Sequence, residues 1–198
     1  NVAPEAGATL IFPADGVTTR ESINNLPTGT PINSITIEAN FYDIYGEPIT
    51  LTGGITANWP DGKSWYALDT TLAEPQAINV SGDAELVFNA RLGGAQALTK
   101  TGTGALTLFN GADHSYSGTT NVNEGTLLLA ARNSAVAVGT ALSIAAGATV
   151  RFAEPEYAGE IVTDGQIVSA VSVTVDEGGT LDLNGRIGTL HNLTLTGG

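Results

Sequence analysis

The feature that most constrains this chain is a recurring beat: a glycine, then two apolar residues separated by one position. Leu106 and Leu108 follow Gly104, and Leu127 and Leu129 follow Gly125. The paired apolar positions fall at Leu86/Phe88, Leu106/Leu108, Leu127/Leu129, Val150/Phe152 and Leu181/Leu183, with steps of 20, 21, 23 and 31 between first members. The glycines Gly82, Gly104, Gly125 and Gly147 keep the same time, at 22, 21 and 22. A unit this short cannot bury its apolar face alone and needs a stacked neighbour. A period of 20–23 residues predicts an all-β chain wound as a parallel β-helix, one turn per repeat.

Shorter alternating runs lie between the marks: Thr120 and Val122, Leu142 and Ile144, then Val171, Val173 and Val175. Alternation sends one set of side chains inward and the other outward, and glycine allows the corners between runs. Eight or so turns stacked at about 4.8 Å give a rod of roughly 35–40 Å. The long last step coincides with an insertion from Glu154 to Gln166, rich in glycine and acid, which reads as a surface loop. A leucine-rich-repeat horseshoe needs a different leucine spacing and a helical return, and the returns here lack helical periodicity. A β-sandwich fits the parallel-repeat signal no better.

The first third is less regular. Leu10/Phe12, Ile35/Ile37 and Ile49/Leu51 carry the marks, but loops of uneven length part them. The expected division is therefore an irregular strand or cap region over 1–33 and a repeat domain over 34–198, continuing beyond Gly198 in the natural protein. The sequence contains no Met, so Asn1 is read as the start of a processed or excised piece.

Only 14% of the residues are charged, and the polar fraction rests on Thr, Asn, Ser and 25 glycines, which suit strands and turns. The net charge of −13 and seven scattered cations argue against binding nucleic acid or an anionic membrane. No apolar run is long enough to span a bilayer. The absence of cysteine excludes disulfides, thiolate metal sites and thiol catalysis.

The stretch Leu98-Thr99-Lys100-Thr101-Gly102-Thr103-Gly104-Ala105-Leu106-Thr107-Leu108, followed by Tyr116-Ser117-Gly118-Thr119-Thr120-Asn121-Val122-Asn123-Glu124-Gly125-Thr126-Leu127, resembles the autotransporter-associated β-strand repeat, also called the passenger-associated transport repeat. Looser phrases of the same kind occur at Ile49–Ile55 and Val175–Gly185, so the resemblance spans about Ser34 to Gly198. It implies a right-handed parallel β-helix in a bacterial surface or secreted protein of Gram-negative type. It implies a non-catalytic stalk or adhesin passenger, and the lack of cysteine suits a chain exported unfolded. A membrane β-barrel, which autotransporter export would call for, is not among these residues.

Candidate sites are few. A polysaccharide-acting enzyme on this scaffold would need acids and bases stacked across turns. One period from Lys100 stands Asn121, and one period from Arg132 stands Ala153, so no such ladder emerges and no enzyme is expected. Asp113-His114-Ser115 reads as a solvated turn rather than a relay. Asp15-Gly16, Asp61-Gly62, Asp164-Gly165 and Asp176-Glu177-Gly178 are turns that offer oxygen donors to Ca²⁺, but Asp and Gly need no ion there; no cofactor is expected. Trp59, Trp65 and Tyr66, and after them Phe41, Tyr42 and Tyr45, are the aromatic candidates for contact with a glycan or partner protein. Self-association through the β-helix ends, giving a filament or surface layer, is the main alternative to a stalk.

Overall fold

In the computed structural model, which describes residues 4–16, 20–154, 156–157, 160–162 and 164–197, the chain is a parallel β-solenoid of about eight turns. Three ladders run along it. The first stacks Ala8–Phe12, Thr30–Ile37, Ile55–Ala67, Gln76–Phe88, Leu98–Thr101, Thr120–Val122, Leu142–Ile144, Ser172–Val175 and Asn192–Leu195, every pair parallel. The second takes Glu21–Asn24 and Asp43–Gly46 onto the far ends of the two long strands, then Ala105–Leu108, Thr126–Leu129, Thr149–Phe152 and Thr180–Asp182. The third joins the start of Thr30–Ile37 to Ile49–Leu51, Thr70–Leu72 and Leu92–Gly94.

The apolar marks read from the sequence are the register itself. Leu86, Leu106, Leu127, Val150 and Leu181 are successive partners on the inner side of the second sheet. Beside them run Ile44, Tyr66, Phe88, Leu108, Leu129 and Phe152, all buried, with the Tyr66 and Phe88 rings stacked 4.4 Å apart. Each such side chain contributes roughly 1.5–3 kcal/mol of burial before entropy is subtracted. The boundary expected at residue 34 falls within the strand Thr30–Ile37, and Ala8–Phe12 already pairs with that strand. The irregular loops of the first third therefore hang from the same ladder.

Two corners differ from the sequence reading. Trp59-Pro60-Asp61-Gly62 is no separate turn: the strand Ile55–Ala67 runs through it with a register shift between Asn58 and Asp61. Trp59 is buried at that corner, and its indole N–H donates to Gly62 O at 3.1 Å. The insertion after Glu154 is exposed at Ile161 but docked at Val162 and Gln166, which are buried. The Gln166 amide accepts from Ala131 N at 2.7 Å and donates to Ala131 O at 3.0 Å, replacing a backbone rung with a side chain.

Lys100 breaks the inner pattern of the first sheet. Its neighbours in the column are Ile55, Ile78, Val122, Ile144 and Val175, and it is just as buried. Its Nζ donates to three carbonyls at the glycine corner: Thr101 O at 2.7 Å, Gly102 O at 2.6 Å and Glu124 O at 3.1 Å. Burial pushes the ammonium down to about 8, with the Glu124 charge acting against it. Lys100→Ala is expected to cost about 3–5 kcal/mol, because it opens a cavity and takes the Nζ donor from three carbonyls, of which Gly102 O is buried. Lys100→Met keeps the stem, so its loss should fall to about 1–3 kcal/mol. Urea denaturation of the two variants beside the parent chain separates the terms.

Candidate functional site

Alternation that buries one side of the second sheet turns the other side out. Two outward columns result. One runs Trp65, Val87, Thr107, Leu128, Arg151, Asp182; the other runs Lys63, Glu85, Ala105, Thr126, Thr149, Thr180. Part of this outer surface is itself packed. Val87, Phe109, Ala130, Ala153 and Val162 are buried as a second, smaller apolar cluster flanked by Trp65 and Leu128. Trp65 meets Phe109 edge-on at 5.6 Å, and the Arg132 guanidinium lies 4.5 Å from the Phe109 centroid. The insertion covers this cluster through Val162.

Next to the cluster is an open groove of about 350 Å³. Ala105, Leu128 and Ala153 supply its apolar surface, and Glu85, Thr126, Arg151, Glu154 and Asn184 its polar surface. Glu85 is tied to Lys63 at 2.8 Å and accepts from the Thr107 hydroxyl. On the opposite side, Arg151 Nε lies 3.3 Å from Asp182 Oδ2, and its Nη2 lies 3.5 Å from Glu154 Oε1. Arg151 Nη2 also donates to Asn184 Oδ1 at 3.0 Å. Asn184 in turn donates through Nδ2 to Phe152 O and to Glu154 Oε1, at 3.2 and 3.0 Å, and through its backbone N to Asp182 Oδ1 at 2.8 Å.

The six aromatic candidates do not form one surface. Trp59, Tyr66 and Tyr42 are buried, so their rings offer no face to a partner. The Tyr42 hydroxyl donates to Pro13 O at 2.7 Å, and the Tyr66 hydroxyl shares a hydrogen bond with Thr70 Oγ1 at 2.9 Å. Tyr45 and Trp65 are half-buried, Tyr45 donating to Glu21. Phe41 is 73% exposed, at φ 64°. The contact expectation narrows to Phe41, Tyr45 and Trp65.

Asp113-His114-Ser115 lies in a connection between strands with Asp113 and Ser115 exposed, as the sequence suggested, but its side chains are tied to neighbouring turns. Asp113 Oδ1 accepts from Val136 N at 2.8 Å, and His114 Nδ1 accepts from Leu92 N at 3.0 Å. His114 Nε2 is buried with no hydrogen-bond partner among the described residues. Burial is the largest cause that pushes this imidazole down to about 4; Asp113 and Asp69 act against it and Arg91 with it. The acid and the histidine each hold a different neighbouring turn, so they do not form a relay. Among the described residues, no group of three or more His, Asp or Glu side chains is placed to hold a metal ion.

Residues 98–129 match the family model for the passenger-associated-transport-repeat. The matched segment comprises the strands Leu98–Thr101, Ala105–Leu108, Thr120–Val122 and Thr126–Leu129, which are two successive turns paired on two sheets. No curated protein and no solved structure gives a significant match.

Proposed function

We propose that this chain, with a passenger-associated transport repeat at its centre, is a structural segment of the passenger of a bacterial surface or secreted protein. Its work is mechanical: a stiff spacer that carries other parts of the protein away from the cell. One observation carries the reading. The two turns that match the repeat family continue in unbroken parallel register into the turns on either side. Backbone hydrogen bonds lie along the rod and aliphatic columns fill it, so extension along the axis is resisted at every rung. No catalytic step is part of this role.

The reading predicts location as well as shape. Expressed within its natural protein in a Gram-negative cell, the segment should be cut by protease added outside intact cells, once a cleavage site is placed in the Glu154–Gln166 insertion. Cleavage only after lysis would overturn it.

A further inference from the structure

We infer that the groove between Glu85 and Asn184 on the outer face of the second sheet is a binding site for a neutral, hydroxyl-rich saccharide chain. Along the groove's central strands, Ala105–Leu108, Thr126–Leu129 and Thr149–Phe152, the backbone is engaged in ladders on both sides, so recognition there must pass through side chains. The side chains present are those that grip sugars. Leu128 and Ala105 give an apolar surface for the C–H face of a pyranose, and Arg151, Glu154 and Asn184 give planar hydrogen-bonding edges beside it.

That polar wall is built in advance. Asn184 sits at φ 51°, in the left-handed region where a residue with a side chain costs about 1 kcal/mol or more, and four hydrogen bonds hold it there. A fixed constellation loses little entropy when a ligand arrives. Charge selects the class of sugar. Arg151 is countered by Asp182 and Glu154, and Lys63 is matched by Glu85, so the groove offers no surplus positive charge to a uronate or sulfate. The net charge of −13 repels both. From Glu85 to Thr180 the groove side of the sheet steps through four rungs, about 19 Å along the rod, which accommodates an oligosaccharide rather than a single sugar.

Saturation-transfer NMR and calorimetry on the full chain test this, with neutral hexasaccharides (β-1,4-linked glucose, xylose, mannose and N-acetylglucosamine) and a polygalacturonate hexamer as the anionic probe. The expected result is saturable binding of at least one neutral hexasaccharide, weakened at least tenfold in both Arg151→Gln and Asn184→Gly. Glycine accepts the positive φ, so Asn184→Gly removes the amide without straining the backbone; a parental circular-dichroism spectrum and cooperative melting confirm that the fold is kept. Absence of binding at millimolar concentration, preference for polygalacturonate, or parental affinity in both variants would each overturn the proposal. None of these outcomes bears on the spacer role, which stands on the ladders alone.

Discussion

Taking the protein from pH 7 to pH 4 is expected to remove about 3 kcal/mol of stability through His114 alone. In the folded chain this imidazole titrates at about 4, against 6.5 when unperturbed. Between those values the unfolded chain binds the proton and the folded chain does not, so unfolding gains as pH falls through that window. Above 6.5 the contribution is whole, and below 4 it is gone. The physical cause is visible in the bonds. Nδ1 is occupied as an acceptor of the Leu92 N–H, and protonating it would set two donors against each other. Nε2 is buried without a hydrogen-bond partner among the described residues, so a charge placed on the ring is poorly compensated. His114→Asn keeps a side-chain acceptor without the titration, much as Asp69 Oδ1 accepts from Arg91 N one turn below. Melting temperature followed from pH 7 to pH 4 should fall steeply for the parent and much less for the variant; parallel curves would refute the assignment.

The second large effect is steric. Gly125→Ala is expected to cost more than about 4 kcal/mol, in the range where folding itself is at risk. A Cβ there would stand 2.4 Å from Gly102 O and 2.5 Å from Gly104 O, both backbone atoms of the preceding turn. Those carbonyls cannot retreat without parting the rungs: Gly104 O accepts the N–H of Thr126, and Gly102 O takes a hydrogen bond from Lys100. The φ of +66° adds the usual penalty for a side chain in the left-handed region. Gly147, one beat later in the sequence, is the control. Its φ is +76° but a Cβ meets nothing within 4 Å, so Gly147→Ala should cost only about 1 kcal/mol. Equal losses in the two variants would show that backbone strain, and not the closeness of the turns, governs the corner.

The contrast between these glycines shows where the sequence was legible and where it was not. Period and register could be read because inward positions are chiefly aliphatic: Leu86, Leu106, Leu127 and Val150 announce their own pairing. Lys100 stands in the slot that Val122 and Ile144 fill one and two turns on, so its burial was implied by position and hidden by residue type. His114 lies in an exposed connection, yet its imidazole turns inward, and the contact candidate Trp59 is buried where the strand Ile55–Ala67 rounds a corner; residue type alone announces neither. The groove escaped for a different reason. Its residues lie one rung apart rather than together in the sequence, and one period from Lys100 or Arg132 stands no charge. Arg151 and Asp182 are a stacked pair, but the insertion stretches that step to 31 residues. Lys63 and Glu85, 22 apart and paired in register, carry the same stacked-charge signal at the regular period.

In the solenoid, rungs follow one another in order along the axis, and spin labels measure this directly. The chain has no cysteine, so paired Cys substitutions label cleanly. Ser34, Ser143 and Thr194 all face outward on the first sheet, and the ladder places Ser143 five rungs and Thr194 seven rungs beyond Ser34. Double electron–electron resonance should give narrow distributions, about 24 Å for Ser34–Ser143 and about 34 Å for Ser34–Thr194, a constant increment near 4.8 Å per rung. Broad distributions, or a Thr194 label no farther from Ser34 than the Ser143 label, would contradict the solenoid and with it the spacer.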